Sequence, residues 1–173
     1  AHRQQILYEA LGYKVPAMLH IPLIHGPDGA KLSKRHGALG TESYKEMGYL
    51  PEALCNYLLR LGWSHGDDEI ISRDQAIKWF SIEGLGKSAA RLDFDRMKNL
   101  NAHYLRQKND SELAEIVINM IEEDHAISNV SKGNILKAMA SLKPRAELLV
   151  DLKQMALMYV VDFPLSITAE ARQ

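Results

Sequence analysis

Only one stretch of this chain, residues 17–24 (AMLHIPLI), reads as a β-strand, whereas everything after residue 40 has the texture of helix. The stretch is short and apolar, and Pro22, which carries no N–H, marks an edge or a strand end. Just before it, residues 3–11 place Ile6, Leu7, Ala10 and Leu11 on one helical face, with Gly12 where a left-handed cap is expected. Helix, strand and then a loop at the strand's carboxyl end is how one unit of a doubly wound sheet closes. A single strand makes no sheet, so the other strands are expected upstream of residue 1. The opening AHRQQILYEALG lacks an initiator methionine and is already helical in pattern, as expected of a piece of a longer chain.

From residue 41 onward, turn and cap residues divide the chain into helices. Thr41 is expected to cap a short helix that Gly48 ends, and Pro51 takes a first helical position ahead of a Leu54, Leu58, Leu61 stripe stopped by Gly62. Ser72 and Gln75 have capping-box spacing ahead of a helix with Ile77, Trp79 and Phe80, which Gly84 and Gly86 break. Asp93 or Asp95 caps the next helix, with Met97, Leu100 and Tyr104. A polar stretch at residues 107–111 (QKNDS) reads as a boundary. Beyond it, three amphipathic helices are expected at about residues 112–123, 132–142 and 144–161. Their inward residues are Leu113, Ile116, Val117 and Met120, then Ile135, Leu136 and Met139, then Leu148, Leu149, Leu152, Met155 and Tyr159. Pro164 stops the last.

Between the strand and the first of these helices lies GPDGAKLSKRHG, residues 26–37. Pro-Asp-Gly is turn chemistry, because proline presets one dihedral and glycine accepts a positive one. Lys31, Lys34 and Arg35 then bring three permanent cations within five residues, with Ser33 among them. Such a loop suits a polyanion that is clamped and released, a triphosphate for example, although on its own a short basic loop is as well explained as solvated surface. It is not a Walker loop, since no Gly-rich run precedes a Gly-Lys-Ser/Thr. His20, His25 and His36 crowd the same region beside Asp28, but their spacing matches no zinc pattern.

Composition removes several classes of partner. The chain has 173 residues, enough for one domain or two small ones, and a formal net charge of −1. With no bulk basicity, any contact with nucleic acid must come from local patches. The single cysteine, Cys55, allows no disulfide within the chain and fits a reducing, cytoplasmic compartment. No apolar run reaches membrane-spanning length.

KLSKRHG resembles the KMSKS-type signature loop of class I aminoacyl-tRNA synthetases, in the form used by glutamyl-tRNA synthetases. GYLPEALCNYLLRLGWSHGD (residues 48–67) is similar to the segment that follows that loop in the bacterial enzymes, and ARLDFDRMKNLNAHYLR and LKPRAELLVDLKQMA match the family in pattern. The resemblance implies a mainly α chain: the last helix–strand unit of a Rossmann-type catalytic domain (residues 1–40), a helical stem-contact domain (41–107) and the start of a helical anticodon-binding domain (108–173). It implies an ATP- and Mg²⁺-dependent ligase that attaches glutamate to tRNA(Glu), possible use of tRNA(Gln) being left open, through a glutamyl-adenylate. The HIGH-type motif and most of the glutamate pocket are then expected upstream, and the piece alone is expected to be inactive. A glutamyl-queuosine tRNA(Asp) synthetase is the nearest enzymatic alternative, but it has no anticodon domain to account for the helices after residue 107. A stand-alone helical RNA- or protein-binding module would explain the helices but not KLSKRHG.

Roles follow from the resemblance residue by residue. Lys31 and Lys34 match the two motif lysines and are the catalytic candidates, and Lys31, Leu32, Ser33, Lys34 and Arg35 are the ATP-binding set. Arg35 stands where the motif's general form has serine, a variant common in the glutamyl branch. Through the stem-contact assignment, Arg60, Lys87, Arg91 and Arg96 are the candidate tRNA contacts, no metal ligand is assigned, and Lys132, Lys137, Lys143 and Arg145 form a second basic stretch. Plain chemistry competes at each position: Arg60 near a helix carboxyl end also suits the helix dipole, Trp63 suits a core, and basic helix faces are commonly just solvated.

Overall fold

A computed structural model describes residues 1–32 and 40–160 of the chain. Helix α1 (His2–Ala10) ends at Gly12, whose φ of 71° supplies the left-handed turn expected there. The strand expected at residues 17–24 survives only at its last position, as β1 (Ile24–His25), and residues 13–23 take no regular structure. The reason is pairing. A strand exists through a neighbour's backbone groups, and no described segment runs beside residues 17–23 to supply them. β1 itself pairs in parallel with β2 (Ala90–Arg91), Ile24 opposite Ala90 and His25 opposite Arg91.

The helical part forms largely as the caps dictate. Helix α2 (Thr41–Glu46) starts one residue beyond Gly40, so Gly40 is its N-cap and the expected Thr41 cap is displaced by one position. Gly48, at φ 88°, then turns the chain. Pro51 opens α3 (Pro51–Gly62), the Ser72–Gln75 capping box opens α4 (Arg73–Trp79), and Asp93 caps α5 (Phe94–Gln107) by accepting from the Arg96 N–H at 3.0 Å. Helix α4 stops at Trp79, before the two glycines expected to break it. Just beyond, the buried Trp63 draws in the Ser81 carbonyl with its indole N–H at 2.9 Å, and Gly84 packs against its ring where no Cβ would fit. Trp63 is therefore core.

Helices α6 (Asp110–Glu122), α7 (Asn129–Leu142) and α8 (Leu149–Ala156) form the expected three-helix set, with one correction. The single helix expected over residues 144–161 is divided into a 3₁₀ turn (Lys143–Arg145), α8 and a second 3₁₀ turn (Leu157–Tyr159). Asp151 causes the break at its amino end by taking the N–H groups of Glu147 and Leu148 at 3.0 and 2.9 Å. Pro164 lies outside the described residues.

Two apolar clusters result. The larger joins Leu113, Val117, Ile121, Ile135, Met139 and Leu152 to Leu50, Ala53 and Leu105, so side chains from both sides of the polar joint at residues 107–111 share one core. The smaller gathers Tyr44, Tyr49, Tyr57, Leu92 and Met97 beneath the hairpin that follows β1. Leu58 and Leu136, expected inside, are exposed; on α3 the buried positions are Ala53, Asn56 and Tyr57. Asn56 can lie inside because both its side-chain oxygen and its amide nitrogen are hydrogen-bonded. Its side-chain oxygen accepts the Ile71 N–H and the Tyr104 hydroxyl at 2.9 Å each, and its amide donates to the Glu69 carbonyl at 3.1 Å.

Candidate nucleotide loop and nucleic-acid interface

The Pro-Asp-Gly turn folds as a tight hairpin. Gly26 N–H donates to the Ala30 carbonyl at 2.8 Å and Leu32 N–H to the Ile24 carbonyl at 2.9 Å, and His25 bridges Lys31 in antiparallel sense. Asp28 stabilises the tip by accepting the Ala30 N–H at 3.0 Å, and Gly29 adopts φ 80°. Lys31 thereby stands exposed on the returning arm and makes no ion pair with a described residue. Leu32 is half-buried against the smaller core. Ser33, Lys34 and Arg35, the rest of the expected ATP-binding set, and His36 lie outside the described residues.

The hairpin is one strand away from a groove. From β1 the ladder passes to β2 and so to Arg91, whose guanidinium Nη2 lies 3.2 Å from where a Cβ on Gly29 would stand. Arg91 also lines an open groove of about 810 Å³, together with Arg60 from the end of α3 and Arg96 from the start of α5. Three of the four expected tRNA contacts thus converge. Lys87 does not: it is exposed on the loop before β2 and does not line the groove.

The sequence reading missed Asn99, His103 and Arg106, which line the same groove from α5. Their signal was present, because positions 96, 99, 103 and 106 follow the helical repeat and share one face. Four arginines meet three carboxylates there, Glu69, Asp93 and Asp95. Glu69 is held by Arg96 in an exposed ion pair at 2.7 Å, and Asp93 is occupied as the α5 cap. Arg60, Arg91 and Arg106 form no ion pair among the described residues, which leaves their charge for a ligand. Arg60 Nε and His103 Nε2 are cut off from solvent with no hydrogen-bond partner, an unused polar capacity in the groove wall. Burial pushes the Tyr57 phenol above its ordinary pKa, so this wall residue adds no negative charge near neutrality. Its oxygen accepts the Asp93 N–H at 2.7 Å and holds the start of α5 in place.

Half of the second basic stretch is spent internally. Lys132 pairs with Glu122, and Lys143 pairs with Asp110 while also donating to the Lys108 carbonyl. His65 stacks on Trp79 at 4.4 Å between ring centroids and pairs with Asp68 at 3.0 Å, a local contact away from the groove.

A family model for the catalytic domain of class I tRNA synthetases (E and Q) matches residues 1–99, from α1 into α5. Glutamate–tRNA ligase 2 of Rickettsia akari is 56% identical over 173 residues, all of this chain and 37% of that protein. Glutamate–tRNA ligase 1 of Orientia tsutsugamushi is 58% identical over 172 residues, 99% of this chain and 36% of that protein. The crystal structure of a glutamate tRNA ligase from Elizabethkingia meningosepticum, in complex with its amino acid, superposes with a TM-score of 0.74 at 30% identity, covering 95% of this chain and 36% of that one. The chain therefore spans little more than a third of the length of these relatives. With more than half of its residues matched by the family model, the chain belongs to the class I tRNA synthetases (E and Q).

Proposed function

We propose that this chain is the part of an ATP-dependent glutamate–tRNA ligase that joins nucleotide handling to tRNA docking. The observation that carries the reading is the shared β1–β2 ladder. The hairpin bearing Lys31 and leading into KLSKR pairs through it with Arg91, and Arg91 lines the cationic groove. A triphosphate and an RNA backbone are both polyanions, and the ladder's joining of the Lys31 hairpin to the Arg91 groove supports a site for each side by side. The ligase names of relatives 54–58% identical across the chain support the same substrates.

In this reading, residues 1–40 close the catalytic domain, 41–107 contact the tRNA stem and 108–173 begin the anticodon-binding domain. Lys31 and Lys34 are the catalytic cations, with Leu32, Ser33 and Arg35 completing the ATP-binding set. Glutamate attacks the α-phosphate in line and pyrophosphate departs, so charge builds on the leaving group. Cations already placed there favour the transition state over the ground state. Lys31, exposed on a tight hairpin arm, fits a phosphate ligand. Magnesium would supply further charge neutralisation at the phosphates. tRNA(Glu) is the RNA substrate, with tRNA(Gln) as a second acceptor to be tested, and the cytoplasm is the compartment; no described helix is long and apolar enough to cross a membrane.

The test is glutamate-dependent ATP–pyrophosphate exchange, with tRNA present, by the full-length protein and by this chain alone. The full-length protein is expected to be active and the chain alone inactive, since one basic loop cannot position both reactants. Lys34→Ala in the full-length protein should lower kcat about 10²-fold and leave KM for glutamate nearly unchanged. A normal kcat with weakened ATP binding would reassign Lys34 to ground-state binding.

A further inference from the structure

One ion pair lies among the residues that line the groove, and it removes a cation from use. Arg96, at the start of α5, donates through Nη2 to the Glu69 carboxylate at 2.7 Å, although the two are 27 positions apart. Both side chains are more than half exposed, so the pair adds little to the stability of the fold. Its effect falls on the groove. Arg60, Arg91 and Arg106 form no ion pair among the described residues, whereas Arg96 already holds an anion.

Glu69 is kept in place through its backbone. The buried Asn56 side chain, on α3, takes the Glu69 carbonyl at 3.1 Å and the Ile71 N–H at 2.9 Å, and Ile71 is itself buried. The Tyr104 hydroxyl, from α5, reaches the Ile71 carbonyl at 3.2 Å. Residues 69–71 are therefore pinned to α3 and α5 together, the two helices that carry Arg60, Arg96 and Arg106. A glutamate on a free loop would move aside for an incoming polyanion, but here only the side chain can turn. The other two carboxylates of the groove differ. Asp93 serves the α5 cap, and Asp95 pairs with no described cation.

We propose that Glu69 is a specificity-determining residue of the RNA groove: it occupies Arg96 as an internal stand-in for a phosphate and rejects backbones whose phosphates pass over it. A carboxylate facing a phosphate is a repulsive element, and discrimination sharpens when wrong placements are penalised. A folded stem holds its phosphates at fixed spacing and can seat them on Arg60, Arg91 and Arg106 with none facing Glu69. An unstructured strand samples every placement, and its affinity is almost wholly charge, so it loses most. The proposal rests on the reading of the groove as an RNA surface.

The experiment is titration of the full-length protein with folded tRNA and with an unstructured RNA of equal length, at several salt concentrations. Glu69→Gln keeps the shape and removes the charge, and the backbone tie to Asn56 is unaffected, so folding should not suffer. For the unstructured RNA it should tighten binding and steepen the slope of log K against log salt by roughly one unit. The gain should then shrink about fourfold between 50 and 200 mM salt, as for one added phosphate contact. For folded tRNA the slope should not change. In an Arg96→Ala background Glu69→Gln should leave both slopes alone, since no arginine remains to be released. Asp95→Asn removes the same charge from the same groove without freeing an arginine, and it should not steepen the slope. An equal gain for both RNAs would overturn the proposal, and so would an effect that persists without Arg96 or is matched by Asp95→Asn. If instead Arg91→Ala leaves the slope untouched, the groove is not the RNA surface, and the proposal falls with that reading.

Discussion

Helices α1 and α6 both carry apolar residues and meet opposite fates, α1 having only a weak apolar stripe and α6 a pronounced one. On α1, Ile6 and Leu7 remain 50% and 60% exposed and no residue is buried; on α6, Leu113, Val117 and Ile121 are all at 0%. The partners differ as well. Helix α6 packs against α7 and α8, whose stripes face it, whereas α1 and residues 13–23, with Tyr13, Leu19, Ile21 and Leu23 exposed, find no described element to cover them. An amphipathic pattern therefore states a capacity for burial, and the surrounding chain decides whether it is used.

The largest effect that tests this contrast is on stability. Leu113→Ala should cost this chain about 2–5 kcal/mol, because it removes transfer energy and leaves a cavity. Leu7→Ala should stay within about 0.5 kcal/mol, as for surface sites generally. Urea unfolding of both variants decides the matter. A comparable loss at Leu7 would mean that α1 is buried in solution.

The same contrast explains what could be read ahead of the structure. Caps and first-turn residues act over three or four positions, so Pro51, the Ser72–Gln75 box and a cap at Asp93 or Asp95 were legible, and so was the turn at Pro27, Asp28 and Gly29, though not the hairpin it closes. Pairing and burial act across the chain. Residues 17–23 look like a strand but lack a neighbour, and Leu58 and Leu136 fit helical stripes whose buried faces are rotated away from them. The buried polar joints were hidden for the same reason: Asn101 reaches across 51 residues to Leu50, and a buried asparagine has no local signature. At the site, Arg60, Arg91 and Arg96 were found through a family resemblance, while Asn99, His103 and Arg106 were passed over although they repeat along one face of α5.

A smaller effect separates two cations that looked alike in sequence. Arg91 lines the groove and Lys87 does not. If tRNA is bound there, phosphate contacts release counterions and log K falls linearly with log salt. Arg91→Ala should flatten that slope by roughly one unit, about a fourfold change in affinity between 50 and 200 mM salt, whereas Lys87→Ala should leave it unchanged. Arg60→Ala and Arg106→Ala should behave as Arg91→Ala. Titrations of the chain with folded tRNA at several salt concentrations measure this. A slope that responds to Lys87 and not to Arg91 would move the interface onto the loop before β2.

The smallest effect concerns how the buried part is fastened at its surface. Asp124, just past α6, accepts a hydrogen bond from Lys153 on α8 at 2.6 Å. That bond, followed by the lysine's positive charge, lowers the Asp124 pKa below its ordinary value. A carboxyl whose pKa is lower when folded than when unfolded stabilises the fold above its unfolded pKa. The contribution is lost as pH falls through the folded value, when the last deprotonated, paired form takes up a proton. The urea midpoint should therefore decline as pH drops below the usual aspartate range, and Lys153→Met should remove part of that decline while leaving the neutral-pH midpoint little changed, because the pair is exposed and screened by water. Raising salt should mimic the mutation. α1 bears no such fastening to another described residue: its Gln5–Glu9 contact lies within one helix, so weakening that contact should leave the midpoint unmoved at every pH. An acid decline that ignores both Lys153→Met and salt would place the responsible carboxyl elsewhere, with Glu52 and its Lys108 partner next in line.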